Sequence, residues 1–246
     1  MNEQYTYISQ VYDKMIEMDY DKWKQFIEGY FKSNDEVIKG KKCLELGCGT
    51  GNMTLCLKEI GLEVTALDIS EEMLNVAEEK LRLKNYKVNF VNGDMVDISL
   101  NKKFNYIFSF CDGYNYLTED EDISNSFLSV YEHLSDDGYF VFDISSNYKL
   151  LNEIGNKSFT LNEDDLCYIW DNYVEDNIVE MYITFFMREG NIYKRFDEVH
   201  YQRAYDTNYI KKLLYEAGFK SVNTYNDYEN KPSDEKSLRV VFVAKK

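Results

Sequence analysis

The sequence lacks the features of a secreted, membrane-spanning or metal-rich protein. It contains one proline and two histidines among 246 residues. No apolar run approaches the roughly 20 residues that a membrane span requires, and the N-terminal segment MNEQYTYISQ has no signal-peptide character. The five cysteines include no C-x-x-C pair, and their odd number favours free thiols over disulfides or a zinc site. We therefore expect a cytoplasmic protein without a bound metal.

Basic residues are also scarce. The chain has 28 of them against 44 acidic residues, which gives a net charge of −16. Such a field repels phosphate backbones and anionic lipids, so nucleic acids and membrane surfaces are poor partners. The hydrophobic content of 44% and charged content of 29% are typical of a soluble folded protein. The composition does not predict the oligomeric state.

Strand-like and helical patterns alternate from residue 42 to about residue 145. Ser70 is a good N-cap for one of these helices, and Gly61 ends another. An earlier amphipathic helix over residues 20–32 begins at the acidic residues Asp19 and Asp21. Strands that alternate with helices predict a mostly parallel sheet with helices on both of its faces. The strand-like segments are KCLEL, EVTALDI, KVNFVN, FNYIFSF and GYFVFDI.

The alternation is interrupted between residues 146 and 204. This region is rich in Tyr, Phe, Ile and Val, and REGN is a good hairpin turn between VEMYITFFM and IYKRFDEVHYQRAY. We interpret it as an antiparallel β insertion. A helix closed by Gly218 follows, and the chain ends on two strand-like segments, FKSVNTY and LRVVFVAKK.

Three glycines, Gly47, Gly49 and Gly51, stand between the first predicted strand and the next helix. Parallel sheets bind ligands at the carboxyl ends of their strands, where bare backbone allows a ligand to approach closely. The spacing G-x-G-x-G is tighter than the G-x-G-x-x-G of the dinucleotide fingerprint. Asp68 closes the second strand, where a carboxylate can accept hydrogen bonds from both hydroxyls of a ribose. These two features leave both NAD and S-adenosylmethionine open as ligands.

Two further motifs separate these ligands. NGDM ends the third strand and places Asp94 where it can accept a hydrogen bond from an exocyclic amine, and FSFCDGYNYL follows the fourth strand. In order and spacing, LELGCGTG, ALDIS, NGDM and this last cluster resemble the class I S-adenosylmethionine-dependent methyltransferases, over about residues 35–145 and 205–246. The resemblance implies a Rossmann-like α/β fold with a seven-stranded, mostly parallel sheet, in which the last strand is antiparallel.

The resemblance also implies roles for individual residues. The methionine part of the cofactor would be held by Glu45, which faces its ammonium, and by the loop residues Gly47, Cys48, Gly49 and Gly51. The ribose would bind to Asp68, and the adenine would be framed by Ile69, Asp94 and Met95. The methionine side near the reacting methyl would be lined by Cys111 and Asp112. Cys48 departs from common versions of the loop, but it is small enough to fit.

Two further groups of residues have alternative interpretations. Tyr5, Tyr12 and Tyr20 form either a lid over the cofactor, because aromatic faces attract a sulfonium cation, or part of a helix packed on the core. Asp112, Asn115 and Tyr116 either line the site or cap the following helix.

The segment EVHYQRAY supplies further candidates. In a strand, Glu198, His200 and Gln202 would share one face, and Tyr201, Arg203 and Tyr205 the other, and the sequence does not show which face meets the acceptor. Candidates for a catalytic role are His200, Asp112 and Arg203, and Arg203 is also a candidate to pair with an acceptor carboxylate or phosphate.

Taken together, these features predict an enzyme that transfers a methyl group from S-adenosylmethionine to a small soluble acceptor by in-line displacement. Residues 1–145 and 205–246 would form the cofactor domain with an N-terminal helical lid, and residues 146–204 a cap over the acceptor site. A non-catalytic S-adenosylmethionine-binding regulator is one alternative. An NAD-dependent oxidoreductase is a weaker one, because neither G-x-G-x-x-G nor a Tyr–Lys or His constellation is evident. The acceptor itself is not identified by the sequence.

Overall fold

The computed structural model describes residues 12–15 and 18–246, so Tyr5 lies outside the described residues. The predicted elements are found close to their expected bounds. The helices are α1 (Tyr12–Met15), α2 (Tyr20–Ser33), α3 (Asn52–Glu59), α4 (Glu71–Leu83), α5 (Asp120–His133) and α6 (Thr207–Glu216); the strands are β1 (Lys42–Leu46), β2 (Glu63–Asp68), β3 (Asn89–Asn92), β4 (Phe104–Ser109), β5 (Leu134–Ser145), β6 (Ser158–Asn162), β7 (Leu166–Glu175), β8 (Ile178–Glu189), β9 (Ile192–Arg203), β10 (Ser221–Asn226) and β11 (Arg239–Lys245).

The main sheet has seven strands in the order β10-β11-β5-β4-β1-β2-β3. Strand β11 runs antiparallel to both of its neighbours, and β1 to β5 pair in parallel. The strand order reverses between β1 and β4, which is where an open α/β sheet forms a ligand crevice. This arrangement confirms the Rossmann-like fold that the sequence predicts.

Side chains that alternate along each strand build a separate core on each face of the sheet. In β1, Leu44 and Leu46 pack with residues of α5 and α6, whereas Cys43 packs with residues of α2 and α3. The helices contribute apolar stripes, such as Ile123, Phe127 and Val130 of α5, because these residues recur at helical spacing. Both faces of the sheet are therefore covered, as near-continuous apolar strands require.

Polar residues fix where the helices begin. The side chain of Ser70 accepts a hydrogen bond from the Met73 amide at 3.2 Å, and that of Asp19 accepts one from the Lys22 amide at 2.9 Å. Each satisfies an amide that the first turn of a helix leaves without an intrahelical partner. Both caps confirm the predicted helix starts.

Strands β6 to β9 form a second, antiparallel sheet in sequence order. One of its faces is buried, and the buried residues Leu166, Ile183 and Phe185 pack against Met73 at the start of α4 and against Tyr12. The insertion therefore lies against the carboxyl edge of the main sheet. The opposite face exposes the aromatic residues Tyr173, Tyr182 and Tyr201.

No helix within the described ranges combines the length and the apolar character that crossing a bilayer demands.

The third glycine of the loop is required by packing between elements. Gly51 has a φ of +81°, and a Cβ built on it would lie 2.9 Å from the Cβ of Ala77 in α4 and 3.1 Å from Cδ2 of Leu81. Gly51 caps the N-terminus of α3. Its missing side chain therefore sets how closely α4 approaches the loop.

We expect Gly51→Ala to destabilise the protein by about 2–4 kcal/mol, because a left-handed alanine is strained and its methyl overlaps the backbone and side chain of α4. The measurement is the free energy of unfolding from denaturant titration.

The matched control is Gly29→Ala, in the exposed middle of α2, where an added Cβ has no heavy atom within 4 Å. It should stabilise the protein by about 0.5–1 kcal/mol, because alanine is the better helix former. Equal effects of the two substitutions would contradict the packing role of Gly51.

Candidate active site

A cavity of about 260 Å³ opens at the carboxyl edge of the main sheet, where the strand order reverses. Residues that follow β1, β2, β3 and β4 form its wall, and Tyr12 and Tyr116 complete the lining. The structure thus brings together, from four separate segments, most of the residues that the sequence predicts for the cofactor. These are Gly47, Gly49, Asp68, Ile69, Asp94, Met95 and Cys111.

The first two glycines face this cavity in left-handed conformations. Their φ values are +65° for Gly47 and +52° for Gly49, and a Cβ added at Gly49 would have no heavy atom within 4 Å. A side chain at Gly49 would thus project into open space rather than into the protein. The backbone is left bare on the side where a ligand would lie.

Asp68 connects the second strand to the glycine loop. Its carboxylate accepts hydrogen bonds from the Gly49 amide at 2.7 Å and the Ser70 amide at 2.9 Å. Burial raises the pKa of Asp68, and these amide bonds act in the opposite direction. A carboxylate has about four acceptor positions, so these bonds leave acceptor capacity for a hydroxyl group of a ligand.

Glu45 lies in β1, two residues before the glycine loop, and lines a smaller cavity together with Tyr20 and Cys48. Only 2% of Glu45 is exposed, and its carboxyl accepts a hydrogen bond from the Thr54 hydroxyl at 2.6 Å. Burial raises its pKa to about 8, despite the lowering effect of that hydrogen bond. The two cavities share Tyr12, Gly47, Gly49 and Cys111 in their linings.

The opposite end of the larger cavity is partly apolar. Ile69 is 50% exposed, and Met95 lies next to the loop, with its Cε 3.4 Å from where a Cβ of Gly47 would be. Asp94 accepts a hydrogen bond from the Val96 amide at 2.9 Å, which fixes its carboxylate at the rim. A flat apolar group with polar edges fits such a pocket.

The loop after β4 reverses sharply through two successive residues in left-handed conformations. The φ values are +58° for Cys111 and +52° for Asp112, which cost energy for any residue other than glycine. The fully buried carboxylate of Asp143 in β5 compensates by accepting hydrogen bonds from both amides, at 3.1 and 2.9 Å. The reversal aims the side chain of Asp112 away from Cys111 toward β9 and β11.

A buried polar network surrounds this reversal. Arg239, at the start of β11, forms ion pairs with Asp143 and, at 2.9 Å, with Asp112. The side-chain amide of Gln202 donates a hydrogen bond to Asp112 at 3.0 Å. The Tyr228 hydroxyl donates one to Asp143 at 2.6 Å. Burial alone raises the pKa of Asp112, but Arg239 and weaker neighbours outweigh it, so the pKa lies below its ordinary value. Asp112 therefore stays ionised at neutral pH.

Sequence reasoning missed Asp143 and Arg239 as members of the site. One signal was present: a single acidic residue near the end of the otherwise apolar segment GYFVFDI, and a single arginine at the start of LRVVFVAKK. A charged residue buried in a strand needs a partner. That the two pair across β5 and β11 is visible only in the register of the sheet.

Asn115 does not cap the following helix, which corrects one of the two interpretations of this segment. Its buried amide binds the Ser145 and Arg203 carbonyls at 3.0 and 2.8 Å and accepts from the Ser145 amide at 2.9 Å. The cap position of α5 is Glu119, without a side-chain bond. Asn115 thus joins the ends of β5 and β9, while Tyr116 lines the cavity.

The structure shows which face of β9 turns inward. Glu198, His200 and Gln202 are all buried, and His200 Nε2 lies 2.9 Å from the Glu198 carboxylate, with its ring edge-on to Tyr116. The outward face carries Arg203.

Arg203 is not part of the cavity at the strand switch. Its guanidinium donates to the Thr118 carbonyl at 2.8 Å and pairs with Asp120 at 2.9 Å, in a separate outer pocket. It lies over the ring of Tyr205. The geometry therefore gives no support to Arg203 as a catalytic residue or as a partner of an acceptor anion.

Tyr12 and Asp13, at the start of α1, lie against the glycine loop and the helices next to it. Asp13 accepts hydrogen bonds from the Thr50 hydroxyl at 2.6 Å and from the side-chain amide of Asn52 at 2.9 Å. It also forms an ion pair with Lys80 at 2.7 Å. Next to it, Tyr12 lines both cavities, and burial raises the pKa of its hydroxyl well above the ordinary value. Of the three tyrosines considered for a lid, Tyr12 lines the larger cavity and Tyr20 the smaller one.

The cysteines are free thiols in the described structure, and three of them, Cys43, Cys48 and Cys56, are buried.

Comparisons with known proteins agree with this geometry. Residues 43–138 match a family model described as a methyltransferase domain. A methyltransferase homologue from Geobacillus sp. (strain WCH70) is 35% identical over 96% of both chains, and the homologue YqeM from Bacillus subtilis (strain 168) is 30% identical over 98% of this chain and 97% of its own. The crystal structure of an S-adenosylmethionine-dependent methyltransferase from Clostridium acetobutylicum ATCC 824 is 37% identical, covers 97% of both chains and superposes with a TM-score of 0.90. The chain therefore belongs to the class I S-adenosylmethionine-dependent methyltransferases, and S-adenosylmethionine is its cofactor.

Proposed function

We propose that the cofactor lies in the cavity with its methionine end at Glu45 and the glycine loop, its ribose at Asp68, and its adenine between Ile69, Asp94 and Met95. The observation that carries this assignment is that one continuous wall joins the bare backbone of Gly49 to the Asp68 carboxylate and the Asp94 rim. The groups present fit the cofactor: the backbone is unblocked, the Asp68 carboxylate has remaining acceptor capacity, and Glu45 offers a buried carboxyl for an ammonium.

Within this arrangement the protein contributes alignment and exclusion of water rather than acid–base chemistry. When bound, S-adenosylmethionine supplies an electrophilic methyl group on a positively charged sulfur. Tyr12 and Cys111, which line both cavities, would enclose that end of the site. The Tyr12 hydroxyl is neutral at pH 7, and burial raises its pKa further, so it offers a lone pair and an aromatic face to a cation without being a base.

The insertion of residues 146–204 is proposed to cap the acceptor site. Two contacts support this: its strand β9 reaches Asp112 through Gln202, and its buried face packs on Met73 and Tyr12 beside the cavity. A capped site beneath a strongly acidic surface suits a small soluble acceptor better than a nucleic acid. His200, buried next to Glu198 and Tyr116, remains a candidate for contact with that acceptor.

We expect Asp68→Ala to weaken binding of S-adenosylmethionine on the order of 10- to 100-fold, because one or more charge-assisted hydrogen bonds to the ribose are lost. Calorimetry on the purified protein measures the dissociation constant.

Asp97→Ala is the matched control, since Asp97 is an exposed aspartate that does not line the cavity. Unchanged affinity in Asp68→Ala, together with a strongly reduced melting temperature, would show that Asp68 only holds the loop.

Cofactor binding should release a proton from Glu45. With its pKa raised to about 8, the Glu45 carboxyl is protonated in the free protein at pH 6–7, and it must ionise to pair with an ammonium. Affinity for S-adenosylhomocysteine should therefore fall as the pH is lowered from 8, by up to about tenfold per unit. Calorimetry between pH 6 and 7 in two buffers of different ionisation enthalpy counts the released proton, because the α-ammonium of the ligand stays protonated there.

Glu45→Gln should bind more weakly without releasing a proton. If proton release persists in this variant, another group is responsible and the ammonium is not at Glu45.

A small acceptor can be tested by fractionation. Conversion of S-adenosylmethionine to S-adenosylhomocysteine should be supported by the low-molecular-mass fraction of a cell extract, and not by its protein or nucleic acid fractions. Turnover confined to a macromolecular fraction would contradict a small acceptor, and binding without turnover in any fraction would favour a regulatory protein.

A further inference from the structure

A lysine at the start of the insertion stands near the buried network, and no acidic side chain of the described residues forms an ion pair with it. Lys149 opens a π-helical turn, Lys149–Ile154, directly after β5. Its ammonium donates to the Ser145 hydroxyl at 3.1 Å, and Ser145 is joined through its backbone to Asn115. These contacts hold Lys149 at the end of β5, near Asn115 in the loop that follows β4. This loop contains Cys111 and Asp112, two of the proposed cofactor residues.

The charge of Lys149 is poorly compensated by the protein. Its side chain is partly buried, and no carboxylate in the described part of the chain lies within 4.0 Å of its ammonium. Burial lowers the pKa of Lys149, and the nearby carboxylates, of which Asp112 has the largest effect, do not restore the ordinary value. An ammonium carries three donors, and within the described residues only the Ser145 hydroxyl accepts one.

The neighbouring carboxylates are already engaged. Asp112 is bound by Arg239 and Gln202, and Asp143 by Arg239, Tyr228 and two backbone amides. Moving either one to Lys149 would break one of the two ion pairs of the buried Arg239 guanidinium, which is costly. Within the described residues, the Lys149 ammonium therefore keeps donor capacity that no carboxylate uses.

We propose that Lys149 binds an anionic group of the methyl acceptor, so that the acceptor is a small molecule bearing a carboxylate or a phosphate. This inference rests on the proposed function, in which the acceptor lies beneath the insertion. It transfers to Lys149 the role that the sequence offered to Arg203. The guanidinium of Arg203 is occupied by Asp120 and Thr118 on the outer face.

The test uses the full-length protein saturated with S-adenosylhomocysteine, titrated separately with acetate and with inorganic phosphate and followed by NMR. Because the carboxylate of S-adenosylhomocysteine is already bound, a second anion reports a separate site. We expect saturable millimolar binding of at least one anion, weakened about tenfold or more in Lys149→Met and largely kept in Lys149→Arg. Stronger binding of acetate identifies a carboxylate acceptor, and stronger binding of phosphate identifies a phosphorylated one.

Arg203→Met is the matched control and should leave anion binding unchanged. Absence of saturable binding of both anions, equal binding in Lys149→Met, or loss of binding in Arg203→Met would each overturn the proposal. The affinity of Lys149→Met for S-adenosylhomocysteine should equal that of the wild type, and a loss there would mean that Lys149 holds the cofactor carboxylate instead. A wild-type protein that does not bind S-adenosylhomocysteine overturns the proposed function, whereas one that binds it but neither anion overturns this inference alone.

Discussion

The buried carboxylate of Asp143 accepts hydrogen bonds from two successive backbone amides, those of Cys111 and Asp112, and pairs with the guanidinium of Arg239. Left-handed conformations at two adjacent residues cost about 1–3 kcal/mol each, and a buried charge without a partner is costlier still. Here each difficulty compensates the other, because the two amides and Arg239 stabilise the buried carboxylate and the carboxylate holds the strained loop in place. The loop that lines the cavity after β4 is shaped in this way by β5 and β11.

This interaction gives the antiparallel strand β11 a part in the site. Arg239 stands at its first position, at the same edge of the sheet as the carboxyl ends of the parallel strands. From there it reaches both Asp143 and Asp112, and through Asp112 it is linked to Gln202 in the insertion. The loop after β4, the strand β11 and the insertion are thus connected through one set of polar contacts.

The fold was predictable because periodicity, helix caps and loop glycines are local properties of the sequence. Ser70 and Asp19 cap helices as expected, and the hairpin between β8 and β9 turns at REGN. Seven of the cofactor residues named from the motifs line one cavity, and Glu45 and Cys48 line the smaller cavity beside it, whereas Gly51 and Asp112 line neither. Their individual contacts with the cofactor stay predictions.

The polar network was not predictable, because Arg239 and Asp143 are 96 positions apart and meet only through the sheet register. Arg203 was misplaced for a related reason: alternation along β9 defines two faces but does not say which one is buried.

Two glycines of the loop, Gly49 and Gly51, serve separate purposes, and this difference has an evolutionary consequence. Gly49 faces open space, whereas Gly51 touches Ala77. Ala77 is fully buried, so neither member of that pair can grow while the other stays the same. In related chains, side-chain volumes at positions 51 and 77 should covary, with a larger residue at one matched by a smaller one at the other or by a shift of α4. Gly49, which has no such neighbour, should instead vary with the ligand that the chain binds.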